Sequence, residues 1–156
     1  MFSLIITIIS IALVAALAIA SVYYGGDAFT QGTAKANAAT VVAQAQQISA
    51  ANTLYKNDNG GNNAASVAAL VTGNYLQSAP VMPASVGTQN LQIDPANGSV
   101  GAEITNSAVC TQINAQLGVS TTPTFDSATQ TPGQVITQQY GCAQDTVDSS
   151  LHFVYK

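Results

Sequence analysis

From Met1 to Tyr24 the chain reads MFSLIITIISIALVAALAIASVYY, with no charge, no glycine and no proline. As a helix this run rises about 1.5 Å per residue and reaches about 36 Å, enough to cross the apolar core of a bilayer. The first charge is Asp27, and no basic residue flanks the run. Such a stretch can be a secretory signal peptide, a permanent membrane anchor, or an apolar helix that is first an anchor and later the core of a polymer. Ala18-Ile19-Ala20 offers the small-x-small pattern of a cleavage site. Met1-Phe2-Ser3, however, lacks the positive n-region that a signal peptide uses.

Composition narrows the choice. The chain has 156 residues, enough for one domain with an appended segment. Charged residues make up 6% of it, against about 25% in an ordinary soluble domain. A surface so short of charge is either covered by other protein or solvated by uncharged polar groups, and Gln, Asn, Ser and Thr are abundant. The only basic residues are Lys35, Lys56 and Lys156, and the formal charge is −4. With no basic patch, nucleic-acid binding by the subunit alone is not expected. The two cysteines, Cys110 and Cys142, favour a disulfide in an exported chain, with buried free thiols as the alternative. A bridge between them would close a loop of about 30 residues and stabilise by roughly 3–4 kcal/mol.

Gly25-Gly26 follows the apolar run. Two adjacent glycines cost a helix about 2 kcal/mol relative to alanine, so a bend, loosening or break is expected there. Such a junction could also extend and let the head tilt. Composition puts the domain boundary here, with residues 1–26 as apolar helix and 27–156 as head. Beyond it, Ala34, Ala38, Val41, Ala45, Ile48 and Tyr55 form an apolar stripe at helical spacing, with Asn52 as its one polar entrant. Thr40, Gln44 and Gln47 take the opposite side. The two halves would make one helix of about 55 residues.

Asn57 to Asn63 is a turn cluster that ends this helix. A short helix is expected within Ala64–Leu76, with Gly73 as its stop. Thr88–Asp94 and Ser99–Thr105 read as strands joined by the Pro95-Ala96-Asn97-Gly98 turn. Asn106 or Ser107 caps a helix running to about Leu117, with Cys110, Ile113 and Leu117 on its inner face. Val119–Gly133 reads as a Thr- and Ser-rich loop. Gln134–Cys142 and Leu151–Tyr155 read as strands. The expected fold is α+β: a long helix packed on a small antiparallel sheet of about four strands.

This combination resembles a mature type IV pilin, of the type IVb kind found also in thin conjugative pili. The local matches are Met1-Phe2-Ser3-Leu4-Ile5 with the apolar run behind it, and Leu70-Val71-Thr72-Gly73-Asn74-Tyr75-Leu76 leading to Pro80. A helix cysteine, Cys110, pairing with one in a late strand, Cys142, belongs to the same resemblance. It implies removal of a short basic leader ending in Gly, and methylation of the new terminus at Met1. It further implies residence in the inner membrane and extraction by an assembly machinery. The end state is a homopolymer outside the cell with the apolar helices at its centre, serving attachment, motility, conjugation or DNA uptake. Pilins usually carry a Glu at the fifth mature position, where this chain has Ile5; archaeal pilins, with uncharged N-termini, are the rival branch. Ser3, Ile5, Thr7, Ser10, Ala12 and Ala16 are the expected helix–helix contacts. The small residues allow close approach, and the hydroxyls bond either across an interface or to their own i−4 carbonyls. The terminal amine of Met1 is expected against a neighbour's hydroxyl or carbonyl.

The competing reading is a membrane-anchored binding module that stays monomeric at the periplasmic side or cell surface. An enzyme is not expected, because no nucleophile motif or phosphate loop occurs. No cofactor is expected either. A lone histidine, His152, with no cysteine pair at ligand spacing argues against a transition-metal site. Asp145 and Asp148 flank a turn and are the one place where a weak calcium site is conceivable. Asn97-Gly98-Ser99 is a glycosylation sequon that also makes a turn.

Overall fold

The computed structural model describes residues 2–156, without the side chains of Tyr24 and Asp27. The first element is one uninterrupted helix, α1, Phe2–Asp58. The break expected at Gly25 and Gly26 is therefore not present. Two glycines cost about 2 kcal/mol, but each end of a new break would have to leave its own terminal backbone groups without helix partners. Long helical runs on both sides make propagation through the pair the better solution. The chain divides into two compact units, Met1–Thr33 and Ala34–Lys156, so the division falls within α1 and beyond the glycines.

In the second unit, the helical segment from Ala34 to Asp58 buries the stripe read from the sequence. Ala34, Ala38, Val41, Ala45 and Ile48 are buried, and Tyr55 packs against the same core. Val42 and Ala51 widen the stripe. Thr40 and Gln47 face solvent, but Gln44 does not: it is half-buried, and its Nε2 donates to the Val81 carbonyl at 3.0 Å. Asn52 is buried because its amide does backbone work. Its Oδ1 accepts from Ala64 N at 2.9 Å, which returns the chain after the turn at Gly60 and Gly61.

Helix α2 spans Val67–Thr72, within the stretch expected for it, and is capped by Ser66. It closes at Gly73 as expected, but Gly73 has φ −78°. The left-handed position is the next residue, Asn74, at φ 61°. Tyr75 N and Leu76 N then both donate back to the Leu70 carbonyl, a reversal of the Schellman kind.

Five strands follow: β1 Gln92–Ile93, β2 Val100–Ile104, β3 Thr124–Phe125, β4 Tyr140–Asp145 and β5 Leu151–Tyr155. Helix α3, Ser107–Gln116, lies between β2 and β3, and α4, Pro132–Val135, between β3 and β4. The sheet order is β1-β2-β5-β4-β3, antiparallel except for β3–β4. The architecture is α+β. Three expectations need correction. The strand expected over 88–94 shrinks to two residues. The 119–133 loop contains a parallel edge strand. The strand expected over 134–142 begins as the turn α4 and becomes a strand only at Tyr140.

The reason lies in the two faces of the sheet. Alternation in β2 and β5 sends Val100, Ile104, Phe153 and Tyr155 into the main core shared with the Ala34–Asp58 segment. Val154 and Ala143 point the other way, where they would be exposed. The Thr- and Ser-rich segment covers them by bringing Phe125 and Ile136 over that face.

Candidate functional site

In the first unit every described side chain from Phe2 to Tyr23 is exposed, including Ile5 at 54% and Phe2 at 85%. This is one helix long and apolar enough to cross a membrane, a test that a signal sequence also passes. An apolar surface of this extent is unusual on a monomeric soluble protein and marks contact with lipid or protein. Ser3, Thr7, Ser10, Ala12 and Ala16 all lie on it, exposed.

Three hydroxyls of the run, those of Thr7, Ser10 and Ser21, turn inward to their own helix. Thr7 Oγ1 donates to the Leu4 carbonyl at 2.9 Å, Ser10 Oγ to Ile6 at 2.8 Å and Ser21 Oγ to Leu17 at 2.8 Å. Of the two uses expected for these hydroxyls, the single chain shows the local one. A carbonyl accepting such a bond keeps its backbone partner, so the hydroxyl is satisfied without a neighbour. Met1, expected as the processed and methylated terminus, lies outside the described residues.

The second unit presents a closed head. Cys110 on α3 and Cys142 on β4 form a disulfide, with their Cα atoms 5.5 Å apart. One turn further along α3, Asn114 reaches the same strand residue. Its Nδ2 donates to the Cys142 carbonyl at 3.0 Å, and Cys142 N donates to its Oδ1 at 2.9 Å. β3 pairs with β4 only at Gln144 and Asp145. Asn114 therefore does for Cys142 what a neighbouring strand would have done, and α3 is held to β4 covalently and by hydrogen bonds at one residue. Sequence reasoning missed Asn114. The available signal was its place four residues after Cys110, on the same helix face.

The carboxylates of Asp145 and Asp148 are structural. Buried Asp145 accepts from Ser127 N at 3.3 Å and Val147 N at 2.9 Å through Oδ1. The Ser127 hydroxyl, these amides and the nearby His152 hold its carboxyl below the usual range, against the opposing effect of burial. Asp148 is held down in the same way by the hydroxyl and amide of Ser150. Among the described residues no cluster of potential ligands is suited to a metal ion. His152 is half-buried, edge-on to Phe125 with ring centres 5.4 Å apart, and its Nε2 lies 2.7 Å from Ser150 Oγ. Tyr75 donates to Asp58 Oδ2 at 3.0 Å, and that bond raises the phenol's pKa. The sequon residue Asn97 is engaged in its turn: it donates to Asp94 and accepts from Ser99 N.

An open cleft of about 500 Å³ crosses the sheet face away from the main core. The β1–β2 region and the Thr131–Gly133 turn wall it, and Gly101, Glu103 and His152 line its floor.

No protein-family model matches this chain, no curated protein is significantly similar to it, and no solved structure matches it. The long apolar helix, the small sheet and the disulfide make an arrangement compatible with the pilin fold.

Proposed function

We propose that this chain is a structural subunit of an extracellular type IV pilus, anchored in the inner membrane before assembly and polymerised through its N-terminal helix. One observation carries the reading: an uncharged helix surface, exposed from Phe2 to Tyr23, on the same helix α1 whose later segment is built into a disulfide-closed α+β head. A helix that only anchored a domain would need length and hydropathy. This one also alternates bulky Ile, Leu and Val with Ala12, Ala15, Ala16, Ala18 and Ala20, a composition suited to close helix–helix contact.

Lipid tails and apolar helices are similarly hydrophobic, so little new dehydration drives the move from membrane to polymer. Packing of bulky side chains over alanines supplies the attraction instead. The run Phe2–Tyr23 carries no acidic residue, so the register is set by packing and by contacts between heads. Intact mass of filaments sheared from cells tests the processing step. A methylated Met1 terminus supports the reading, and a chain found only as a membrane-bound monomer supports the anchored binding module instead.

A further inference from the structure

Glu103 is the sole glutamate of the chain. It stands in β2 opposite His152 of β5, half-buried on the floor of the cleft. The other described carboxylates are engaged within the chain: Asp58 by Tyr75, Asp94 by Ala96 N and Asn97, Asp126 by Ala128 N, Asp145 by Ser127 and Val147, and Asp148 by Ser150. Among the described residues the Glu103 carboxylate accepts no hydrogen bond and makes no ion pair. Its cross-strand neighbour His152 makes its side-chain hydrogen bond elsewhere, with Nε2 2.7 Å from Ser150 Oγ. A partly desolvated carboxylate without a donor is unfavourable and gains from any cation that enters the recess.

The cations show the complementary pattern. Lys156 Nζ donates to the Ile136 carbonyl. Lys35 and Lys56, both on α1, are exposed and without a partner among the described residues. Lysine carries three donors on a flexible four-carbon stem, which suits entry into an open cleft. The other polar walls, Gln89, Gln92, Asn97 and Thr131, are uncharged.

We propose that Glu103 receives a lysine, Lys35 or Lys56, of a second copy of this chain; the proposal rests on the assembly reading. In a head-to-tail arrangement the recess of one subunit takes a lysine of the next, a contact that repeats along an open helical polymer when its rotation does not close. It also supplies a charge pair between subunits, which Ile5 cannot provide within the apolar core.

Zero-length carbodiimide coupling tests this on wild-type filaments. Activated Glu103 loses its carboxylate oxygen to the reagent and forms an amide with a lysine Nζ within contact distance. Filaments should yield a Glu103–Lys35 or Glu103–Lys56 cross-linked peptide that detergent-dispersed monomer lacks. Glu103→Gln should leave the melting of the dispersed subunit unchanged, yet raise the subunit left unassembled on the order of tenfold. Glu103→Lys should abolish filaments, and adding Lys35→Glu or Lys56→Glu should restore them, which identifies the partner. Filaments without either cross-link, or Glu103→Gln filaments of normal yield and salt resistance, overturn this contact while leaving the assembly reading intact. A destabilised Glu103→Gln monomer overturns it by showing a role inside the chain. Absence of wild-type filaments removes both.

Discussion

Breaking the Cys110–Cys142 bridge probes how the head is closed. The bridged residues are 32 apart in sequence, and the chain-entropy relation for a loop of that size gives about 3.7 kcal/mol. For a head of about 120 residues the entropy of unfolding is about 0.25 kcal/mol per degree, so the melting point should fall by about 15 °C. Asn114 moderates the structural consequence, because its two hydrogen bonds still hold α3 to Cys142 after reduction. Removing Asn114 alone, as Asn114→Ala, leaves the backbone donor and acceptor of Cys142 buried and unmet. At about 1–3 kcal/mol each, that costs roughly 2–6 kcal/mol. The two losses should not add. Once neither link remains, α3 can lift from β4 and Cys142 can bind water, so the double change should cost less than the sum by at least about 0.5 kcal/mol. The assay is thermal unfolding of the full chain in mild detergent, comparing wild type, Cys110→Ser, Asn114→Ala and the double variant. A Cys110→Ser protein that melts with wild type would refute a stabilising role for the bridge. Strict additivity would refute the claim that the two links share one attachment.

Gly98 has φ 77°, and a Cβ there would lie 2.7 Å from Asn63 Oδ1; Gly98→Ala should therefore destabilise by about 1–3 kcal/mol in urea unfolding, whereas Gly25→Ala, with open space around it, should stabilise α1 by up to about 1 kcal/mol. Asp145 and Asp148 have carboxyls depressed in the folded head. Their contribution is present above the unfolded value near 4 and disappears as pH falls through the folded one, so melting points should drop between pH ~5 and ~2, less steeply in Asp145→Asn. Tyr75 has the opposite sign, and its contribution, intact below about pH 10, should fade above it. Val14→Arg places a charge mid-run and should cost about 2.5–3.5 kcal/mol of membrane insertion, seen as loss of the protein from the membrane fraction.

Much of the fold was legible in the sequence, and the reasons differ by element. The Ala34–Tyr55 stripe was readable because a helix against one core leaves a strong 3.6-residue period. Leu151–Tyr155 was readable as an isolated β-branched and aromatic run, and the Asn97-Gly98 turn by its local chemistry. Gly25-Gly26 misled because a local propensity was weighed without the helix on either side of it. The stretch from Thr124 to Val135 misled for a different reason. Its polar residues mark a loop, and only the uncovered Val154 and Ala143 across the sheet require Phe125 and Ile136 to sit where they do. Gln44 was placed in solvent because nothing local foretells the Val81 carbonyl arriving beside it. The cysteine pairing was readable, but Asn114 was not, since its task exists only where β3 stops short of Cys142. For the functional surface, the apolar run was visible at once. The isolation of Glu103 became visible only after every other described carboxylate had found its partner.

Assembly as proposed depends on Phe2 to Tyr23 packing against copies of itself in a filament. Electron cryomicroscopy of material sheared from cells expressing the chain tests this without intermediaries. Thin helical filaments of this subunit are expected, with the apolar helices bundled along the axis and the disulfide-closed heads outside. Recovery of the chain solely as a monomer in the membrane fraction, or filaments with these helices facing solvent, would contradict it.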